Sequence, residues 1–335
     1  MNKTRIALLG FGNVGRSLAR YIADRENLTA LLDIAAVADS SGAAILESPS
    51  QIGALLAAKS SGHSIVQAGI GRSIQSQSDF LKSMLDLGIR VMVESLPTNI
   101  SEGQPARDII RSALFEGCSV VTVDKGPMVR GFDELKQAAA SSGACLEFTG
   151  TTGVAIPDQV AGKQVLEIRG VLNGTTNDIL TRMQENGASF DEALSHAQRD
   201  GIAEPDPSLD VQGWDTACKI LILAHALMGA TASLEDVARK GIGPEIESLI
   251  QVGKTTGRVA RLVGRARIWQ GRVRVSVAPK LVDPGSPFYS IAGTSKAAIF
   301  RTGEGDIVVH SKSGRDSIAR TIVDDLLRIV QCSSG

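Results

Sequence analysis

The chain has 335 residues, 35 of them basic and 36 acidic, for a formal net charge of −1. With 43% hydrophobic and 21% charged residues, the composition suits a folded globular protein and argues against long disordered tracts. The near-neutral balance leaves no basic face for a polyphosphate backbone, so no nucleic-acid partner is expected.

At roughly 100–200 residues per domain, this length predicts two domains. Over the first 130 residues, apolar runs at 5–9, 34–38, 64–67, 91–94 and 119–123 read as strands buried on both faces. Helical patterns at 14–23, 51–58, 78–87 and 106–115 alternate with them. That rhythm predicts a parallel sheet with right-handed crossovers. Past residue 131 the rhythm changes. Strand-like stretches at 144–149, 165–171, 273–281, 297–302 and 306–310 are separated by long helical insertions, with a hairpin-like turn at Gly303-Glu304-Gly305. A last amphipathic helix over 317–330 can return to the first domain. The fold class is therefore α/β, with a doubly wound parallel sheet of Rossmann type and a second α+β domain holding a mixed sheet. The boundaries are 1–132, joined by 315–335, and 133–314.

The four cysteines (Cys118, Cys145, Cys218 and Cys332) lie far apart and form no Cys-x-x-Cys pair. A reducing compartment suits them better than a disulfide framework or a zinc site. Spanning a bilayer needs about 20 apolar residues, and the longest candidate, 220–230, is shorter and contains His225. Nor does a charged-then-apolar leader precede the first strand-like run. A cytoplasmic protein with no membrane partner is expected.

Ile6-Ala7-Leu8-Leu9-Gly10-Phe11-Gly12-Asn13-Val14-Gly15 joins a buried strand to a helix through G-x-G-x-x-G. Gly10 permits the tight turn, Gly12 lets the backbone approach a pyrophosphate, and Gly15 lets helix and strand pack closely. The helix N-terminus adds unpaired N–H groups and a positive dipole end. Gly10, Phe11, Gly12, Asn13, Val14 and Gly15 are the candidate cofactor contacts. Asp39 ends the second strand, where a carboxylate accepts from a ribose 2′-hydroxyl and repels a 2′-phosphate. No arginine follows it, so NAD is favoured over NADP, although Lys59 could still reach a phosphate.

Five features lie beyond residue 90. Val120-Val121-Thr122-Val123-Asp124-Lys125-Gly126-Pro127 places a lysine just past a strand end. Residues 147–153 form a Thr/Gly-rich segment. Asn173-Gly174-Thr175-Thr176-Asn177 turns from a strand into a helix. Glu204-Pro205-Asp206-Pro207 leads to Asp210. Asp215-Thr216-Ala217-Cys218-Lys219 opens a strongly apolar helix, on which Asp215 and Lys219, four apart, share a face.

From residue 168 to 223 this pattern closely resembles the homoserine dehydrogenase family, in its short form without a regulatory domain. The family's G-[IV]-[LV]-N-G-T-T-N run begins here at Gly170, and its second block runs from Gly201 to Lys219 without a gap. The resemblance implies NAD(P)-dependent interconversion of L-aspartate 4-semialdehyde and L-homoserine. It makes Lys219 the acid/base and Lys125 a lysine touching cofactor and substrate. Glu204, Asp210 and Asp215 would hold the substrate ammonium, with Asn173, Thr175 and Thr176 lining the pocket or shaping its turn. Ser95, Leu96, Pro97 and Thr98 would lie along the nicotinamide ribose, and Gly314 would belong to a second cofactor turn. A monovalent cation, Na+ or K+, would take Glu147, Gly150, Thr152 and Val154. A homodimer through the second-domain sheet is also implied.

Three positions depart from the family pattern. Asp124 replaces the usual Asn, and a carboxylate there could pair with Lys125 and repel a substrate carboxylate. Ala155 stands for proline in the cation loop, where Thr151-Thr152 replace smaller residues. Lys312-Ser313-Gly314 keeps only the last glycine of a Gly-Ala-Gly-like turn. Two alternatives stay open: a dehydrogenase acting on another small hydroxy- or amino-acid, and a catalytically silent NAD-binding protein.

Overall fold

Four of the five runs that read as strands buried on both faces are strands of the structure, a computed structural model describing residues 3–70, 72–74, 77–312 and 316–332. The chain divides into two units, Met1–Thr151 with Gly314–Gly335, and Thr152–Ser313.

The first unit holds seven strands: β1 Thr4–Leu9, β2 Leu32–Asp39, β3 Gly42–Ile45, β4 Arg72–Ile74, β5 Val91–Glu94, β6 Ser119–Thr122 and β7 Leu146–Glu147. Their order is β4-β3-β2-β1-β5-β6-β7. The β2-β1-β5-β6-β7 stretch is parallel, and β3 and β4 extend it antiparallel. Ile6, Ala7, Leu8 and Leu9 are at most 1% exposed, as a strand covered on both sides requires. The helix Ser317–Cys332 turns Ala319, Ile322, Val323, Leu326 and Ile329 into the core that also holds Leu18 and Ile22, a spacing that puts one apolar stripe on the sheet.

Two expectations change here. Residues 64–67 are not a strand, because Ser64 caps a short helix, Ile65–Ala68. Its hydroxyl accepts from Gln67 N, while the Gln67 side chain accepts from Ser64 N, a reciprocal capping box that outweighs the apolar character of Ile65 and Val66. Second, the stretch at 144–149 contributes only β7, which pairs with β6 in the first sheet. The intervening helix Phe132–Ser142 ties itself to the helix Ala106–Phe115 through Glu134, which pairs with Arg107 and Arg111. The first unit therefore runs on to Thr151.

The second unit contains β8 Val165–Val171, β9 Ala238–Arg239, β10 Val259–Trp269, β11 Arg272–Val282, β12 Ser295–Thr302 and β13 Gly305–Lys312, in the order β13-β12-β8-β10-β11-β9. Only β9 and β11 run parallel, so the sheet is mixed. The hairpin expected at 303–305 joins β12 to β13. The sequence reading missed β10, the long central strand. Ala260, Leu262, Gly264 and Ala266, mostly small, are covered, and Arg265 and Arg267 alternate with the last two; Arg261 is itself buried, its guanidinium donating to the carbonyls of Phe288, Tyr289 and Ile291. Helix Trp214–Met228 lies over this row: a Cβ on Gly264 would sit 3.1 Å from Ile220 and Thr216. Among the described residues no helix is long and apolar enough to cross a membrane.

Candidate active site

In the first unit the candidate cofactor residues gather at the carboxyl ends of β1, β2, β5 and β6. The chain leaves β1 for β2 on one side, and β5 lies on the other, making the crevice between their ends a topological switch point. Ser95 N donates to Leu9 O at 2.8 Å, and Ser95 Oγ donates to Gly10 O at 2.9 Å. That close approach fixes the glycines. Gly10 has φ +104°, and a Cβ there would lie 2.4 Å from Ser95 O. A Cβ on Gly15 would lie 2.1 Å from Gly10 O, whereas one on Gly12 would meet nothing within 4 Å. Two glycines thus pack the turn, and the third presents bare backbone to open space at the start of the helix Asn13–Ala23, whose N-cap has no side-chain partner. The cradle fits a dinucleotide pyrophosphate. Gly12 and Asn13 are exposed, and Val14 is half-buried. Phe11 is buried in the core, so only its backbone can serve a ligand.

Asp39 stands at the end of β2, but its carboxylate is engaged. Oδ1 accepts from Ser41 N and Ser41 Oγ, and Oδ2 accepts from Lys59 Nζ at 2.7 Å. Burial alone would raise its pKa, yet these donors hold it below the usual carboxylate value. Lys59 therefore neutralises the acid meant to discriminate against a 2′-phosphate.

The ends of β5 and β6 carry a carboxyl pair that the sequence reading did not foresee as such. Glu94 is fully buried; its Oε2 accepts from Thr122 Oγ1 at 2.5 Å and its Oε1 from Leu96 N at 2.7 Å. Burial first, and then the charge of Asp124, push its pKa up to about 8. Asp124, 2% exposed, accepts from Gly126 N at 2.8 Å as the N-cap of Lys125–Arg130 and also bonds the Thr98 hydroxyl. Burial raises its pKa as well, against the pull of these bonds and of Lys125. An Asn could supply the same acceptor, so the departure at 124 preserves the cap while adding acidity. Through these bonds Leu96 and Thr98 are pinned to the strand that delivers Lys125; Pro97 and Thr98 are exposed.

In the second unit the structure joins five predicted residues directly. Asn173 caps the helix Gly174–Asn186, accepting from Thr176 N at 2.8 Å and from the Thr176 hydroxyl at 3.0 Å. Its amide nitrogen donates to Asp210 Oδ1 at 2.6 Å and Asp215 Oδ2 at 2.7 Å. Lys219 Nζ donates to that same Asp215 oxygen at 2.5 Å and to Leu172 O at 3.0 Å. Both side chains of the ion pair are shielded, at 14% and 10% exposure, where a charge-assisted bond is stronger than at a surface. Burial raises the pKa of Asp210, reinforced by Asp215, while Asn173 and Thr175 oppose the shift. Thr175, the sixth, also donates to Ile202 O at 3.1 Å. The arrangement places one ammonium and two carboxylates within a single bonded network, suited to proton transfer and to holding a cationic substrate group.

Other predicted residues fall outside these networks. The Glu204 side chain is exposed, and its backbone carbonyl accepts from Gln198. Gly314 lies outside the described residues. Of the groups assigned to a cation, Glu147 and Gly150 belong to the first unit, Thr152 and Val154 to the second. Arg328 stands 3.6 Å from Glu147, whose pKa is nevertheless raised by burial, and the Thr152 hydroxyl donates to Val154 O. A guanidinium thus already brings positive charge to Glu147. Lys296 on β12 was not foreseen at all. It is charge-coupled to Lys219 and Asp215, a proximity no sequence spacing reveals.

The family model for homoserine dehydrogenase matches residues 154–327. The homoserine dehydrogenase of Methanocaldococcus jannaschii is 32% identical over 97% of this chain and 98% of its own. An NAD(+)-dependent homoserine dehydrogenase of Pseudomonas canavaninivorans is also 32% identical, over 100% of this chain and 98% of its own. A solved structure from Archaeoglobus fulgidus superposes with a TM-score of 0.84 at 29% identity, covering 97% of this chain and 98% of that one.

Proposed function

The chain belongs to the homoserine dehydrogenase family, and from that premise we propose that it interconverts L-aspartate 4-semialdehyde and L-homoserine. NAD is the favoured cofactor on the strength of the NAD(+)-dependent Pseudomonas relative; the Asp39–Lys59 pair at the end of β2 sets how strongly a 2′-phosphate is refused. The first unit is the dinucleotide-binding domain; the second holds the substrate.

A nicotinamide dinucleotide, when bound, exchanges hydride with the carbon bearing the substrate oxygen. The protein's own residues supply the remainder. In the reducing direction the Lys219 ammonium gives a proton to the aldehyde oxygen as it becomes an alcohol. In the oxidising direction the free amine removes that proton. Asp215 and the Leu172 carbonyl hold Nζ in one place. Asn173 fixes the rotamers of Asp210 and Asp215, leaving carboxylate surface for the substrate's α-ammonium, with Glu204 as a further candidate. Lys125, positioned by Asp124, is the contact from the cofactor side. No step uses a metal ion.

The observation supporting this reading is the bonded set Lys219, Asp215, Asn173 and Asp210, which a protein that merely bound NAD would have no chemical need to build. The test is steady-state oxidation of L-homoserine with NAD, beside a panel of other small hydroxy acids and hydroxy amino acids. If homoserine is oxidised no faster than the panel, the substrate assignment fails. If nothing is oxidised while NAD still binds, the silent-binder alternative prevails.

The protein is further proposed to work in the cytosol as a homodimer through the face of the second sheet opposite the helices. Trp269 and Val308 are exposed there, at 49% and 40%. Arg169, Arg265 and Arg301 surround Glu167 on that face, giving charges of both signs for a two-fold contact. Sedimentation at micromolar concentration separates monomer from dimer.

A further inference from the structure

Lys296 sits two residues before Ala298 on β12. Ala298 pairs with Gly170 on β8, and Gly170 pairs with Gly264 on β10. Gly264 faces Ile220 and Thr216 of the helix Trp214–Met228, so by strand alternation the Lys296 side chain belongs to that same covered face. The row runs toward Leu172, whose carbonyl receives Lys219 Nζ. The backbone around Lys296 is tied down. Asn177 Nδ2 donates to Gly293 O at 2.9 Å and Ser295 O at 3.1 Å, and Gly293 N donates to Thr181. These anchors belong to the helix that Asn173 caps. Lys296 is therefore held against the reacting site by the elements that build it.

Its charged surroundings are unusual for a shielded lysine. Burial pushes its pKa down to about 8; the Lys219 charge pushes the same way, and Asp215 opposes both. Asp215 already serves Lys219 and Asn173 through one oxygen. A second ammonium beside the first is costly to bury, and that cost is offset when an anion arrives to share it.

The substrate provides such an anion. An amino-acid alcohol is a zwitterion with three polar handles. The α-ammonium suits Asp210 and Asp215, the hydroxyl suits Lys219, and the α-carboxylate needs a cation not already committed. Resting on the activity proposed above, we propose that Lys296 receives the substrate α-carboxylate and makes the enzyme select amino acids over simple amino alcohols. Lys296 is then a specificity residue of this chain, distinct in role from the acid/base Lys219.

The experiment compares L-homoserine with 3-aminopropan-1-ol, which lacks only the carboxylate. Both are measured on wild-type, Lys296→Met and Lys296→Arg enzymes of matched NAD affinity and melting temperature. If turnover of the amino alcohol is too slow to follow, its competitive Ki against homoserine replaces its KM. Wild-type turnover of homoserine tests the activity itself. Given that activity, Lys296→Met should raise the KM for homoserine by about 100-fold and change the amino alcohol by less than about threefold, as expected on losing one partner of a buried charge pair. Lys296→Arg should recover at least about a tenth of the lost preference. An unchanged homoserine/amino-alcohol ratio in Lys296→Met overturns the proposal. That holds also if both substrates slow equally, since Lys296 would then act on Lys219 and not on the carboxylate.

Discussion

Asn173 Nδ2 lies 2.7 Å from Asp215 Oδ2, the oxygen that also receives Lys219. One amide therefore caps a helix through its oxygen and orients the Asp210 and Asp215 carboxylates through its nitrogen. Asn173→Ala should lower stability by about 1–3 kcal/mol, from the lost cap and two carboxylates missing a donor. It should also raise the KM for homoserine. Asn173→Asp keeps the cap acceptor but adds a third negative charge, so it should spare much of the stability and still damage activity. Chemical denaturation and steady-state kinetics on the pair check both halves.

Lys219→Ala should cut kcat by roughly 10²–10⁴, the range for losing a positioned acid/base. NAD affinity should stay within about twofold, since among the described residues Nζ bonds Leu172 and Asp215, both in the second unit. Retained turnover would remove Lys219 from the mechanism.

The Asp39–Lys59 pair makes opposite predictions for its two halves. Asp39→Asn leaves the lysine charge unbalanced and should shift the NADP/NAD preference toward NADP by about tenfold, or 1.4 kcal/mol. Lys59→Met leaves the carboxylate bare and should strengthen discrimination against NADP. Cofactor KM ratios decide; movement in the same direction for both would show that the pair does not face the 2′ position.

The glycine turn separates packing from binding. Gly15→Ala drives a Cβ to 2.1 Å from Gly10 O and should cost at least about 2 kcal/mol of stability. Gly12→Ala meets open space, so its melting temperature should hold while NAD binding weakens by about tenfold or more. Calorimetry with and without NAD distinguishes the two.

Glu94 titrates near pH 8 when folded, well above its ordinary value. The folded state thus holds this proton more tightly than the unfolded chain. The contribution is complete below the unfolded pKa and is lost as pH rises through about 8. The melting temperature should fall progressively from about pH 5 to about pH 8 and level off above that, by an amount on the order of a few kcal/mol in stability. Glu94→Gln, neutral throughout, should flatten that slope.

The chain's local chemistry was readable wherever a function needs neighbours in sequence. Gly10, Gly12 and Gly15 declare a strand–turn–helix because three backbone constraints fall within six residues, and Asp215 and Lys219 share a face because a helix repeats at that spacing. Local chemistry also misled: Ile65 and Val66 look like strand, but a cap and its reciprocal glutamine decide for helix. Strand β10 hid behind glycine, alanine and alternating arginines, which form a strand only when a helix and neighbouring strands cover one side of them.

Tertiary structure alone decided the partnerships. Lys59 meets Asp39, Thr122 meets Glu94, and Lys296 approaches Lys219 across separations no periodicity links. A sequence states which charges exist and the conformations its backbone prefers. Whether a charge stands alone, is neutralised or confronts its own kind depends on which strands lie side by side, and that is settled by burying apolar surface over the whole chain.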